Sequence, residues 1–167
     1  MPEHAPPPHL HPDHAAHGCA GAYTPERAQR HAHDKKVFQT LLKHHESITR
    51  EVREIEGGIE AVTTSTDAQI VKLLHDHAQE MHRRMEEGFG LRHWDAAFAE
   101  MFAQADKVRM QVELLADGVR VRETSEEPNV VVLIRAHGAV VTSFVREGGR
   151  VAAKESPLPE AYQRILR

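Results

Sequence analysis

The sequence has one cysteine, Cys19, few aromatic residues and no long apolar run. A single cysteine cannot form a disulfide within the chain, which suits a reducing compartment. No apolar stretch approaches the roughly 20 residues that cross a bilayer. The N-terminal residues are histidines and prolines, where an export signal would have lysines followed by an apolar core. We therefore expect a soluble, cytoplasmic protein, unless a start site upstream of Met1 adds such a signal.

Positive charge is also scarce, because 21 lysines and arginines face 25 acidic residues and the net charge is −4 with neutral histidines. Nucleic acids and anionic membranes require a basic surface, so neither is an expected partner. The motifs of common metalloenzymes, nucleotide-binding enzymes and serine hydrolases are missing as well. The sequence thus favours a non-catalytic protein, and a homodimer is compatible with it.

Histidine is abundant, with 14 residues, and half of them lie in the first 33 positions. Prolines and small residues surround these seven histidines, and such a segment buries too little apolar surface to order itself. We predict a disordered tail over residues 1–33. Flexible imidazoles bind Cu, Ni or Zn with low selectivity, and a thiolate would add a soft ligand. The candidate ligands of the tail are His4, His9, His11, His14, His17, Cys19, His31 and His33.

Residues 48–88 and 108–148 resemble each other at an offset of 60 without gaps. Nine positions are identical, where chance would give roughly two or three. The identical pairs are Val52 and Val112, Gly58 and Gly118, Thr64 and Thr124, Ser65 and Ser125, Val71 and Val131, Leu73 and Leu133, His77 and His137, Glu87 and Glu147, and Gly88 and Gly148. We interpret this pattern as an internal duplication.

Each repeat reads as helix, strand, strand and helix, the first over residues 34–88 and the second, with a connector, over residues 89–148. Asp34 is the predicted N-cap of the first helix. Glycine-containing turns at Gly57 and at Gly118 predict two β-hairpins. One hairpin is too small to be stable alone. We therefore predict an α+β fold with one core, in which a four-stranded antiparallel sheet packs on helices around a pseudo-twofold axis.

Residues 149–167 follow the second repeat as a C-terminal tail. A short helix is predicted there from about Pro159 to Leu166.

His77 and His137 fall on the apolar stripe of the last helix of each repeat. A histidine in that place is commonly a hydrogen-bonded core residue. Its recurrence in both repeats gives a functional role equal weight. Met81 follows His77 by one helical turn and would suit Cu(I) or an axial haem position. His75 and His82 have no counterparts and are predicted to lie on the more exposed flank.

Three functions follow from these patterns. The first is a metal-binding or metal-handling protein for Cu, Ni or Zn, in which the tail collects the ion and a defined site holds it. Candidate ligands of that site are His44, His45, His77, Met81 and His137. The second is a haem-b protein with His77 or His137 as axial ligand and Met81 nearby. The third is a structural or protein-interaction module with hydrogen-bonded core histidines.

Overall fold

Four strands form one antiparallel sheet in the computed structural model, which describes residues 24–167. The strands are β1 (Ile48–Ile55), β2 (Gly58–Ser65), β3 (Arg109–Leu115) and β4 (Gly118–Thr124). Their spatial order is β1-β2-β4-β3, so that each hairpin contributes one central and one edge strand. The predicted α+β fold with a four-stranded antiparallel sheet packed on helices is confirmed.

Five helices accompany the sheet. They are α1 (Pro25–Lys43), α2 (Ala68–Glu87), α3 (Ala96–Ala103), α4 (Pro128–Glu147) and α5 (Gly149–Ala152). Asp67 and Asp95 cap α2 and α3, since the side chain of each accepts a backbone N–H two residues on. Gly88 ends α2 in the left-handed conformation, with a φ of 66°. Single turns of 3-10 helix at His45–Ser47 and Ala105–Lys107 lead into β1 and β3.

Helix α1 begins ten residues earlier than predicted. Its N-cap is Thr24, whose hydroxyl accepts the Arg27 N–H at 3.2 Å, and Pro25 occupies the first turn. The predicted start at Asp34 is wrong, and residues 25–33, which we assigned to a disordered tail, are helical. Residues 1–23, the remainder of the predicted tail, lie outside the described residues.

Polar contacts stabilise the additional turns of α1. Asp34 and Arg84 of α2 form a buried ion pair in which the Arg84 Nε lies 2.9 Å from the carboxylate. Arg30 donates to Glu80 at 3.3 Å and to Glu87 at 2.8 Å. Because these partners are charged residues, the periodicity of apolar residues does not predict their contacts.

The predicted helix from Pro159 to Leu166 is also wrong. This segment has a turn at residues 160–161 and is otherwise irregular. Fully buried Glu100 of α3 accepts the Tyr162 hydroxyl at 2.6 Å and the backbone N–H groups of Ile165 and Leu166 at 3.1 and 2.9 Å. In a helix these two N–H groups would donate to backbone carbonyl oxygens. Here they donate to the Glu100 carboxylate instead.

The two halves of the fold are arranged about an approximate twofold axis. In the pairing of β2 with β4, Ala61 lies opposite Val121, 60 positions along the chain. Helices α2 and α4 have equal lengths and begin 60 residues apart. The arrangement of the elements agrees with the twofold pattern of the sequence, whereas the origin of the halves by duplication stays a prediction.

His75 illustrates this symmetry and has a role that the sequence did not reveal. Its Nε2 lies 2.9 Å from the carbonyl oxygens of Leu115 and Gly118 in the β3–β4 hairpin, so it donates to them. Arg135, the equivalent residue of α4, donates to the Ile55 carbonyl of the β1–β2 hairpin at 3.2 Å. His75 is therefore half-buried against the opposite hairpin, and His82 is also half-buried, with 40% of its side chain exposed.

Gly58 and Gly118 serve the sheet rather than the turns. The turns are formed by residues 56–57 and 116–117, and each of these glycines begins a central strand. A Cβ on Gly58 would lie 1.8 Å from the Glu123 carbonyl oxygen, and one on Gly118 would lie 1.9 Å from that of Thr63. The close approach of β2 and β4 therefore requires glycine at both ends of their pairing.

Helix α4 contributes three fully buried residues to the core. Val130, Leu133 and Ile134 have no exposed surface and pack with Ile59 of β2. By length and composition alone, α4 is also the one helix within residues 24–167 that could cross a membrane, and 33% of its apolar window is buried.

Replacing Gly118 with alanine tests the close approach of the central strands. Since the new methyl group would overlap the Thr63 carbonyl, we expect Gly118→Ala to lower the free energy of unfolding by about 3 kcal/mol or more. Urea unfolding measures this loss. Gly149→Ala is the control, because a Cβ there meets no atom within 4 Å. Equal stability of the two variants would contradict the proposed role of Gly118.

Candidate functional site

A cavity of about 180 Å³ lies between the helices and the inner face of the sheet. Helices α1 to α4 and all four strands contribute to its walls. The walls are mostly apolar, and their large side chains are Phe38, Met81, Met85, Phe98, Met101, Phe102, Met110 and Phe144. Protein interiors are close-packed and hold few voids larger than a water molecule. A space of this size is therefore the feature of the molecule from which a function can be argued.

Short side chains on the sheet and on α2 leave this space open. Alternate residues of the central strands point inward, and Ala61, Thr63, Val119 and Val121 form the floor below the helices. Ala78 of α2 faces them as a buried wall residue. Larger residues at these positions would fill the cavity.

His77 and His137 both line the cavity, on α2 and α4 respectively. His77 stacks on Phe38 with a ring distance of 5.9 Å, and His137 contacts Phe98 edge-on at 4.9 Å. Phe38 and Phe98 are also 60 positions apart, so the symmetry extends to these pairs. The predicted inward orientation of both histidines thus leads to the cavity rather than to a filled core.

Neither of these imidazoles makes a hydrogen bond within residues 24–167. The His137 side chain is 17% exposed, and its ring lines the cavity. The Nδ1 atom of this ring lies 3.9 Å from the Glu123 carboxylate. Burial lowers the pKa of His77 and of His137 to about 4, so both rings are neutral at pH 7. Their ring nitrogens are therefore available to a molecule in the cavity.

Arg50 and Glu123 add two ionisable groups to the same cavity. Arg50 of β1 donates to the hydroxyls of Thr63 and Thr142, both at 3.2 Å, and forms no salt bridge in the described part of the chain. Burial lowers the pKa of its guanidinium. Burial also raises the pKa of Glu123 to about 7, and the charge of Arg50 opposes this rise. The cavity thus combines apolar walls with two ionisable residues, Arg50 and Glu123.

These two residues were missed at the sequence level, although the pattern contained a signal. Inward positions of β1 and β4 read Ile48, Arg50, Val52 and Val119, Val121, Glu123. A charged residue in an otherwise apolar alternation either lies at an edge of the sheet or faces a site. A charged residue on the apolar side of a strand is therefore a sequence signal of a sheet edge or a site.

The structure separates the predicted metal ligands of the folded domain. His45 and Met81 line the cavity together with the two recurring histidines, whereas His44 is exposed at the end of α1. His45 donates its Nδ1 hydrogen to the Val145 carbonyl at 2.8 Å. Among residues 24–167, no group of three or more histidine, cysteine, aspartate or glutamate residues could hold a metal ion.

The predicted ligands of the tail fall into two groups. His31 and His33 belong to α1, where His31 is half-buried and His33 pairs with Asp76 at 2.8 Å. Burial lowers the pKa of His31, and the bond to Asp76 raises that of His33. The others lie outside the described residues, and these are His4, His9, His11, His14, His17 and Cys19. A metal site in the tail stays a prediction.

The haem hypothesis stays a prediction. His77 and His137 line one cavity, as this hypothesis requires, and the volume of that cavity is about 180 Å³.

Comparisons with protein-family models, with curated proteins and with solved structures find no match for this chain. The residues that line the cavity are therefore the basis for a proposed function.

The buried histidines predict a particular dependence of stability on pH. From the ordinary pKa of 6.5 down to about pH 4, the unfolded chain binds protons at His77 and His137 and the folded chain does not. Stability therefore falls as the pH is lowered through this range, by up to about 3 kcal/mol for each histidine. Glu123 acts in the opposite direction, since its folded state keeps a proton up to about pH 7.

Urea unfolding between pH 4 and pH 7 measures this effect as a difference between variants. The double variant His77→Gln, His137→Gln should lose less stability on acidification than the parent protein. The matched control is the double variant of exposed His44→Gln and of His82→Gln, whose side chain is 40% exposed. A pH profile that the first double variant leaves unchanged would show that these rings are not buried in neutral form.

Proposed function

We propose that the protein binds a small, mainly apolar organic molecule in the cavity between α1 to α4 and the sheet. The observation that carries this proposal is the cavity itself, about 180 Å³ in volume, with apolar walls and a few polar groups. Ligand sites in proteins have this character, since apolar walls provide affinity and a small number of polar groups fix the orientation of the ligand.

The packing of the walls supports a ligand for this space. A ligand that fills it would make dispersion contacts with the apolar side chains of the walls, which an unfilled space lacks.

The size of the cavity limits the ligand. An engineered protein cavity of about 150 Å³ takes up benzene. A single aromatic ring with a small substituent, or a short branched chain, is therefore the appropriate class. Methionine side chains are flexible and make favourable contacts with aromatic rings, so four of them in the walls suit an aromatic ligand.

Filling the cavity with a side chain should prevent binding. Ala78→Leu places additional carbon atoms in the space, so we expect a loss of binding together with unchanged or increased stability. Ala139→Leu is the matched control, because Ala139 is an exposed alanine in α4. Toluene and benzyl alcohol serve as the ligands, and the shift of the unfolding temperature and of the methionine methyl NMR signals reports their binding.

Binding to the parent protein and to Ala139→Leu, but not to Ala78→Leu, would support the proposal. If the parent protein responds to neither compound, or if Ala78→Leu binds them equally well, the cavity is not a binding site.

A second proposal concerns metal and the segment before α1. Five histidines and Cys19 lie within the first 19 residues, a density of ligands that the sequence of the folded part does not have. We propose that this segment binds Cu, Ni or Zn, since imidazoles and thiolate are suitable ligands for these ions. The folded domain would then contribute a ligand cavity and the segment a separate metal-binding function.

Removing residues 1–23 tests this second proposal without disturbing α1, which begins at Pro25. We expect the untagged full chain to take up copper, nickel or zinc in calorimetric titrations, and the shortened protein to take up at least one ion fewer. Equal uptake by both forms would assign any metal binding to the folded part. No uptake by the full chain would end the metal proposal.

A further inference from the structure

Arg50 is the one arginine among the residues that line the cavity. It is fixed there by its strand and by two threonine hydroxyls, from Thr63 on β2 and Thr142 on α4. A buried charge normally has a partner of opposite charge, because an unpaired one loses its hydration without compensation. Arg50 forms no salt bridge within residues 24–167, so its charge is compensated there by neutral hydroxyls alone.

We propose that the ligand carries a carboxylate group, which the Arg50 guanidinium binds in the cavity. This inference rests on the proposed function, because it names the chemical class of the molecule in the cavity. The ligand would be a small carboxylic acid with an aromatic or branched apolar body. Its body would lie among the methionines and phenylalanines of the walls.

The hydrogen-bonding capacity of Arg50 supports this inference. A guanidinium has five N–H donors, and the threonine hydroxyls accept from two of them. The remaining donors have no acceptor in the described part of the chain. Guanidinium binds carboxylate through two parallel hydrogen bonds, which are stronger than bonds between neutral groups. A carboxylate would thus satisfy both the charge and the donors of Arg50.

Glu123 determines whether an anion can enter. It lies on the inner face of β4, opposite Ile59 of β2 and Met110 of β3, and no arginine or lysine forms a salt bridge with it in residues 24–167. The titratable or charged groups that share the cavity with it are Arg50 on β1, His45 before β1, His77 on α2 and His137 on α4. An ionised Glu123 would repel a second carboxylate, whereas a protonated one can donate a hydrogen bond to it.

The cost of protonating Glu123 is small near neutral pH, because burial raises its pKa to about 7. Binding of an anion should raise that pKa further, because a second negative charge in the cavity disfavours the ionised form of Glu123. Neutral His77 and His137 add no positive charge to the cavity at this pH. Carboxylate binding should therefore be accompanied by uptake of a proton from solution.

The experiment compares the binding of benzoate with that of benzyl alcohol and toluene. All three compounds have similar apolar bodies, but benzyl alcohol and toluene carry no charge. Calorimetry at pH 7 should show that the parent protein binds benzoate at least about tenfold more tightly than benzyl alcohol. Arg50→Gln should abolish that difference and leave the binding of toluene intact. Arg53→Gln is the control, because Arg53 lies on the same strand, points to the opposite face and pairs with Glu60.

A second measurement uses the parent protein and does not depend on the folding of Arg50→Gln. Benzoate titrations at pH 7 in two buffers with different heats of ionisation should reveal the uptake of about half a proton. Glu123→Gln should bind benzoate without this uptake, since the amide is a permanent hydrogen-bond donor. Absence of proton uptake by the parent protein would overturn the role of Glu123.

The outcomes separate this inference from the proposed function. If toluene and benzyl alcohol bind as tightly as benzoate, or more tightly, the inference that the ligand carries a carboxylate is wrong. The apolar cavity would still be a binding site. Failure of all three compounds to bind would overturn both. Preference for benzoate that persists in Arg50→Gln would show that another group binds the carboxylate.

Discussion

The antiparallel pairing of β2 with β4 joins the two hairpins, and every other feature of the structure depends on it. Each hairpin alone has too few strands for independent stability. The pairing requires that the two central strands approach closely at both ends, where Gly58 and Gly118 lie against carbonyl oxygens of the opposite strand. It also places Ala61 beside Val121, its equivalent in the other half, so that one sheet serves both halves.

This constraint leads directly to the cavity. Since the central strands share one inner face, the floor below the helices is formed by their short inward side chains, with Ala61 opposite Val121. Helices α2 and α4 lie on this floor and direct His77 and His137 into the same space. The two halves differ in the residues at two inward positions. Glu123 corresponds to Thr63, and Arg50 corresponds to Met110. Arg50 and Glu123 therefore lie at different register positions of an otherwise apolar cavity.

Much of this fold follows from the sequence, because its signals are local. Periodic apolar residues predicted the hairpins and the long helices, and the recurrence of His77 as His137 identified the cavity-lining positions. Long-range polar contacts have no such local signal. The ion pair of Asp34 with Arg84 extends α1, and the hydrogen bonds of Glu100 keep the C-terminal segment irregular. The cavity itself is a property of packing, which no sequence pattern expresses.

The existence of an accessible apolar cavity is the central claim, and a crystal exposed to pressurised xenon tests it most directly. Xenon enters apolar cavities of this size and is visible through its electron density. We predict a xenon site between Phe98, Met81 and the floor of the sheet, with little movement of the surrounding side chains. A crystal without xenon there, in which side chains from α2 and α4 fill the space above Ala61, would contradict this account.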